Sequence, residues 1–341
     1  MIFSMIFQGM GTFAHAERAE KEVGVKVTNF KLLSWQKEET DKIFYTDSFY
    51  LSMDWDASGN GTELHKGDYF NITLPDKMKF PSKSSAVDFD LYALDGHTVI
   101  AKAHVTPNEN GGGTVKVIFT DYVENKYNVK GNIFLAARFD RTKIKLDQQN
   151  LFSITISGQV LTTTTNVIGP KDLKNETLLK WGSGDENKRN GAVWSGRINH
   201  MGSTLHNVVI TDTLGDSGET FLKDTFSIQK IKFDAKGNIT QVVETVDLTN
   251  KLVISPDGKT FTLKMGDLSG DQYQFNYRTT YTPGTRLKNI MLLTSIEVTK
   301  NYEAVHQSSS SGGSGAGDLT NKIKIIKVDS ENQEKACQCR V

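Results

Sequence analysis

Lys116-Val-Ile-Phe-Thr-Asp-Tyr-Val-Glu124 is the stretch that decides the fold, and it continues through residues 125–132. It begins in an alternating run, Val115-Lys-Val-Ile-Phe119, which is typical of a half-buried β-strand. The same alternation occurs at Val25–Leu33, Phe70–Leu74 and Val87–Leu91. Clusters of turn-forming residues separate such runs, as at Asp56–Gly61, Asn108–Gly113 and Pro256–Gly258. Many short strands with regular turns predict an all-β protein made of β-sandwiches.

Length and composition limit the possible functions. A chain of 341 residues is longer than one usual domain, so we expect two. The 40 basic and 40 acidic residues cancel, which gives no indication of a nucleic-acid partner. Cys337 and Cys339 are the two cysteines, and two ligands at a chain end do not make a zinc site. We therefore expect no disulfide in the body of the chain, no metal site and no cofactor.

The pattern along the chain predicts five segments. Residues 1–16 are apolar and end in Ala14-His15-Ala16, which indicates part of a signal peptide. Two β domains follow at 17–165 and 166–306, and a Ser/Gly-rich segment at 307–319 has the composition of a flexible linker. Residues 320–341 open a new strand and are too short to bury a core, so they predict the truncated start of a third domain. A wall-anchor motif is absent from this sequence.

The opening stretch resembles the Thr-Tyr-Thr-Phe-Thr-Asp-Tyr-Val-Asp signature of the MSCRAMM family of Gram-positive surface adhesins. Over residues 20–318 the chain resembles the collagen-adhesin (Cna-like) branch, and Lys327-Val-Asp329 resembles the first strand of a Cna B-type repeat. The resemblance implies two tandem Ig-like domains of the DEv-IgG type around a ligand groove. It also implies a C-terminal latch strand that pairs beside Phe119, Thr120, Asp121, Tyr122 and Val123. The latch would come from Asn301–His306 and the Ser/Gly run behind it, although a plain linker to a stalk is an equal alternative.

The resemblance also implies an isopeptide triad of Lys180, Asp212 and Asn289, each of which lies in a β pattern. Burial disfavours the charged form of a lysine, and the neutral amine can attack a neighbouring carboxamide. A protonated Asp would polarise that carboxamide and carry protons. Taken singly, the three residues would be an exposed strand lysine, a turn Asp and a turn Asn.

Candidate ligand contacts lie in Trp194-Ser-Gly-Arg-Ile-Asn199, which resembles the strand lining the ligand trench of collagen adhesins. Trp194, Ser195, Arg197 and Asn199 are the predicted contacts. Ser195 and Arg197 stand where the family has an aromatic residue and an Asn, so the ligand is left open. A Trp in a sandwich is also commonly a core residue.

Catalytic motifs such as Gly-x-Ser-x-Gly, His-Glu-x-x-His or a Walker loop do not occur in the sequence, so we do not expect an enzyme. The resemblance implies a secreted, wall-destined, monomeric adhesin that encloses a host extracellular-matrix protein. Collagen is the first expectation, and fibrinogen or fibronectin is the second. A rival hypothesis is a pilus or stalk module without a ligand, stabilised by the same isopeptide bond.

Overall fold

The computed structural model describes residues 18–81, 86–173, 175–184, 191–215, 217–282, 285–307 and 310–320. The predicted signal peptide, both cysteines and the predicted third-domain strand with Lys327 lie outside these ranges. In the described part, the helical structure consists of two single 3-10 turns, Ser58–Asn60 and Asp121–Val123. The described residues include no helix long and apolar enough to cross a membrane.

Eleven strands from the first half of the chain belong to one continuous sheet, which folds over on itself to form a β-sandwich. They are β1 Lys26–Leu33, β2 Lys42–Phe44, β3 Ser48–Asp56, β4 Tyr69–Leu74, β5 Met78–Lys79, β6 Asp88–Ala93, β7 Val99–Pro107, β8 Gly113–Phe119, β9 Lys126–Phe139, β10 Gln148–Ile156 and β11 Gln159–Ile168.

Alternation within these strands places one face in the core. In β3, the residues Phe49, Leu51, Met53 and Trp55 are all buried. The rings of Trp55, Phe70 and Phe119 lie 5.8–6.0 Å apart and join strands β3, β4 and β8 at the centre of the core. Phe119, in the stretch 116–124, is therefore a core residue.

The second half folds into two five-stranded sheets. The first sheet has the order β12-β13-β19-β15-β16 and the second has the order β17-β18-β14-β20-β21. The strands are β12 Leu178–Gly184, β13 Gly191–Ile198, β14 Thr204–Leu214, β15 Phe221–Phe233, β16 Ile239–Thr245, β17 Leu252–Ile254, β18 Thr260–Ser269, β19 Gln272–Thr280, β20 Arg286–Thr294 and β21 Thr299–Gln307. Together with the first half, they confirm the predicted all-β fold of Ig-like sandwiches.

The chain passes between the two sandwiches twice. It leaves the first sandwich after Ile168 and starts the second at Leu178, so the first domain's last strand runs three residues past the predicted limit of 165. After Gln307 it returns, and β22 (Gly312–Leu319) joins the first sandwich as its twelfth strand. The two sandwiches are therefore joined by two connections.

Candidate functional site

The buried triad is assembled across the two sheets of the second domain. Asp212 on β14 and Asn289 on β20 are diagonal neighbours, because Leu214 pairs with Asn289 and Asp212 pairs with Met291. Lys180 comes from β12, the edge strand of the opposite sheet. Lys180 is 2 % exposed and the other two are fully buried, so all three predicted residues meet inside the core.

Burial sets the ionisation of the Lys–Asp pair. Lys180 Nζ is hydrogen-bonded to Asp212 Oδ2. Desolvation lowers the pKa of Lys180 to about 8, against the opposing attraction of Asp212. Desolvation likewise raises the pKa of Asp212, against the opposing effect of Lys180. Burial therefore shifts both groups toward a neutral amine and a protonated carboxyl, which are the forms that nucleophilic attack and proton donation require.

A fourth side chain, Tyr277 on β19, reaches into the same cluster. Its hydroxyl lies 2.5 Å from Lys180 Nζ, donates to Asp212 Oδ2 at 2.9 Å and accepts from Asn289 Nδ2 at 2.9 Å. The Lys180 amine also lies 5.1 Å from the ring centres of both Trp194 and Tyr277. Its alternation with Tyr273 and Phe275 in the sequence of β19 predicts a core residue but gives no sign of a polar role.

Glu219 is a second buried carboxyl that the sequence analysis did not identify. It is 2 % exposed, accepts a hydrogen bond from Thr279 at 2.8 Å, and burial raises its pKa. Thr279 in turn accepts from the Trp194 indole N–H at 3.1 Å. Glu219 lies in a Ser-Gly-Glu turn that reads as a surface loop, so the sequence offered no signal for its burial.

The strand β22 fills a slot between two strands of the first domain. Along one side it pairs antiparallel with β9, from Gly312 opposite Phe134 to Leu319 opposite Lys126. Along the other side it pairs parallel with β6, with Gly313 opposite Leu91 and Gly315 opposite Ala93. Its backbone groups thus bond to two different neighbours, which is the pattern of β-strand addition.

Small residues are a steric requirement of this slot. A Cβ on Gly131 of β9 would lie 2.0 Å from the Ser314 carbonyl oxygen, and one on Gly313 would lie 2.3 Å from the Asn132 carbonyl oxygen. A Cβ on Gly315 would come within 3.1 Å of Lys130, Trp55 and Ile100. A glycine inside a strand often indicates that another backbone segment approaches it closely. Gly131 could therefore have indicated this slot from the sequence alone.

Side-chain hydrogen bonds hold β22 and the residue before it against β9. Ser311 Oγ accepts from the Ala136 backbone N–H at 3.1 Å in a buried position. Asn132 Oδ1 accepts from the Ser314 N–H at 3.1 Å, and Asn128 Nδ2 donates to Asp318 Oδ2 at 3.1 Å. These contacts fix the register of the strand as well as its presence.

Two predictions about the position of the latch were wrong. Residues 301–306 belong to β21, which pairs with β20 inside the second domain. Residues 119–123 do not pair with β22. Phe119 and Val123 are buried in the core, while Thr120 caps the 3-10 turn by accepting from the Tyr122 N–H. The turn Asp121–Val123 instead leads the chain into β9, which does pair with the inserted strand.

Trp194 and Asn199 are also not surface contacts, so these two predictions were wrong. Trp194 is fully buried because the pleat of β13 turns it toward the core. Asn199 is fully buried in a left-handed turn with φ 58°. Its amide donates to the Ser203 and Asp271 carbonyls at 2.8 and 2.9 Å and so organises the turn after β13.

Ser195 and Arg197 do lie on the outer face of β13. Arg197 makes a forked ion pair with Glu176 at 2.7 and 3.1 Å, and its guanidinium lies 5.5 Å from the Trp181 ring centre. Ser195 Oγ donates to Asn276 Oδ1 at 2.7 Å and is 8 % exposed. Arg197 therefore holds the segment before β12 in place, and the half-exposed Trp181 beside it is an aromatic surface that the sequence analysis did not single out.

Comparison with known proteins agrees with this architecture. Residues 44–150 match the bacterial Ig domain family, and residues 175–304 match the collagen binding domain family. The collagen adhesin CNA of S. aureus has a similar fold, with a TM-score of 0.60, 16 % identity and coverage of 88 % of this chain and 99 % of that one. The collagen binding domain of the Erysipelothrix rhusiopathiae surface protein RspB gives a TM-score of 0.56 and 14 % identity, over 89 % of this chain and 100 % of that one.

The Enterococcus faecalis MSCRAMM ACE, which binds its ligands by the collagen hug model, gives a TM-score of 0.55 and 14 % identity. The match covers 84 % of this chain and 97 % of that one. Residues 44–150 therefore contain a bacterial Ig domain and residues 175–304 a collagen binding domain, in the tandem Ig-like architecture of the collagen adhesins. Both the collagen binding domain match and the fold are consistent with the Cna-like branch of the MSCRAMM adhesins.

Proposed function

We propose that the chain is a cell-surface adhesin that encloses a host extracellular-matrix protein, with collagen as its ligand. The observation that carries the proposal is the return of the chain into the first domain as β22. A ligand lying between the domains would be bracketed by the connection at 169–177 and by the connection at 308–311. The non-covalent insertion of β22 makes the second connection the one that can open.

Binding would follow from this difference between the two connections. With β22 withdrawn, β9 and β6 present two unpaired edges and the second domain is tied to the first at one connection only. A ligand then enters between the domains, and insertion of β22 closes the second connection over it. Main-chain hydrogen bonds on both sides of β22 would supply the closing free energy, and glycines let the strand enter.

Collagen fits this arrangement in shape and chemistry. The triple helix is an extended rod, and enclosure between two domains holds a rod without needing a deep pocket. The collagen binding domain match over residues 175–304 supports the same ligand. The outer face of the β12-β13-β19 sheet offers Trp181, Gln274 and Asn276, an aromatic group among polar ones.

We also propose that Lys180 and Asn289 join in an isopeptide bond, with Asp212 as the acid–base group. The neutral amine of Lys180 attacks the Asn289 carboxamide carbon, an Nζ–Cγ bond forms, and ammonia leaves. The bond would link the two sheets of the second domain, a cross-link that suits a protein secreted to the surface of a Gram-positive cell wall.

Binding assays test the ligand proposal. We expect the full chain to bind immobilised triple-helical collagen saturably and to lose that binding when the collagen is melted to gelatin. If the chain binds only fibrinogen or fibronectin, that protein would take the place of collagen as the proposed ligand. Absence of binding to all three would favour the stalk hypothesis over the adhesin.

A further inference from the structure

Tyr277 contacts every polar member of the buried triad, although a Lys–Asn–Asp reaction needs no tyrosine in principle. Its hydroxyl is within hydrogen-bond distance of the attacking nitrogen, the acid and the carboxamide nitrogen at once. The side chain is 1 % exposed, and the ring packs against Phe221, Phe226 and Phe261 at centroid distances of 5.0–5.4 Å. A hydroxyl held so rigidly among three reacting groups is placed for proton transfer.

We propose that Tyr277 is a catalytic residue of isopeptide formation, whose hydroxyl relays a proton from Asp212 to the departing nitrogen of Asn289. The inference rests on the proposed Lys180–Asn289 bond and goes beyond it. The relevant atoms are within reach, because the hydroxyl donates to Asp212 Oδ2 and accepts from Asn289 Nδ2, each at 2.9 Å. Both hydrogen bonds reverse their direction in the relay, once Asp212 carries its proton on Oδ2 and Nδ2 gains a lone pair in the tetrahedral intermediate.

The relay supplies the proton that the leaving nitrogen requires. An amide nitrogen leaves as ammonia only after it gains a proton, and in this core no water is needed to bring one. The protonated Asp212 passes its proton to the Tyr277 oxygen, while the Tyr277 proton moves to Nδ2 of the tetrahedral intermediate. The Cγ–Nδ2 bond then breaks and ammonia departs.

The proton balance closes within the cluster. After the Nζ–Cγ bond forms, the attacking nitrogen of Lys180 is left with an excess proton. Asp212, now a carboxylate in direct contact with Lys180 Nζ, takes that proton. Asp212 and Tyr277 return to their starting forms, and the products are one amide and one ammonia.

Burial keeps Tyr277 in the form that a relay needs. Desolvation and the neighbouring Asp212 raise the pKa of the Tyr277 hydroxyl well above its ordinary value. The group therefore stays protonated at every physiological pH and acts by exchanging protons, never as a standing phenolate.

Bond formation can be followed directly in the full chain made by cell-free synthesis. Samples taken after chain release are quenched in acid, and intact mass gives the fraction lighter by one ammonia. Tyr277→Phe removes the hydroxyl and keeps the ring. Tyr273→Phe is the matched control, since Tyr273 lies on the same strand, faces the same core and is also buried.

We expect the wild type and Tyr273→Phe to lose ammonia at the same rate. General acid–base catalysis contributes about 100-fold or more, so Tyr277→Phe should be slower by on the order of 100-fold. Ammonia loss from folded Tyr277→Phe at the wild-type rate would overturn the relay. A wild type that keeps its full mass would instead overturn the isopeptide bond itself, so the two failures are distinguishable.

A second variant covers the case in which Tyr277→Phe does not fold. A ring-fluorinated tyrosine at position 277 keeps the hydroxyl and its hydrogen bonds but makes the proton more acidic. A relay makes the rate of ammonia loss depend on that acidity, whereas a structural hydroxyl leaves the rate unchanged. An unchanged rate would overturn the proposal.

Discussion

Lys180 shows how one buried side chain can be costly in one chemical form and stabilising in another. As an ammonium it loses hydration in the core, which lowers its pKa to about 8. As part of an amide it carries no charge and ties β12 to β20. The same burial that makes the residue unfavourable as a cation therefore drives its proposed reaction.

Replacing Lys180 by Met should prevent the loss of ammonia and lower stability. A cross-link that closes a loop of about 100 residues stabilises by roughly 4–5 kcal/mol, so the unfolding free energy should fall by about that amount. Intact mass and urea unfolding measure the two effects. Lys264→Met, on an exposed strand position of the same domain, is the control and should change neither. A wild type of unreduced mass would refute the cross-link.

Trp181 is the residue on which we expect ligand binding to depend most. It is 37 % exposed on the outer face, in contact distance of the Arg197 guanidinium, and exposed aromatics are frequent hot spots. Trp181→Ala should weaken collagen binding by about tenfold or more, measured by surface plasmon resonance. Ile296→Ala removes an exposed apolar side chain from the turn between β20 and β21 and should bind like the wild type. Equal affinities for the two variants would place the ligand elsewhere.

The triad was predictable from sequence because each member stood in a strand pattern that matched the family resemblance residue by residue. The ligand contacts were less predictable, since they depend on which way a pleat turns. Trp194 and Ser195 are neighbours in β13, yet one faces the core and the other faces outward. Asn199 was indistinguishable from a surface Asn until the turn placed its amide between two carbonyls.

At the scale of the element, β22 forms a strand although its composition does not favour one. Ser and Gly are poor strand formers, and the sequence alone was equally consistent with a linker. Its strand conformation comes from the two neighbours that supply hydrogen-bond partners and from the small space they leave. Tertiary context of this kind cannot be read from a segment's own residues, which explains why the latch was predicted partly in β21.

Gly315→Val tests the steric part of this account. The new side chain would meet Trp55, Ile100 and the Lys130 carbonyl, so the strand should no longer seat fully. Hydrogen exchange should become faster at the alternate amides of β9 that face β22, because these groups lose their partner strand, whereas the amides that face β3 keep theirs. Ala316→Ser, one position along the same strand, is the control. Unchanged protection in Gly315→Val would mean that β22 does not need the narrow slot.

At the scale of the whole molecule, the chain links the two sandwiches between Ile168 and Leu178 and again where β22 returns to the first sandwich. The opening stretch, residues 116–132, contributes to this through β9, which carries Gly131 and Asn132 against the inserted strand. Enclosure then predicts a specific kinetic signature: losing β22 should affect the escape of ligand far more than its approach.

The dissociation rate from triple-helical collagen tests this central claim most directly. The full chain is compared by surface plasmon resonance with a chain ending at Gln307, which keeps both sandwiches but lacks the returning strand, and with Gly315→Val. We predict that both variants dissociate at least about tenfold faster than the full chain while their association rates change little, as is usual for variants of one interface. Dissociation at the same rate with and without β22 would contradict enclosure of the ligand by the latch.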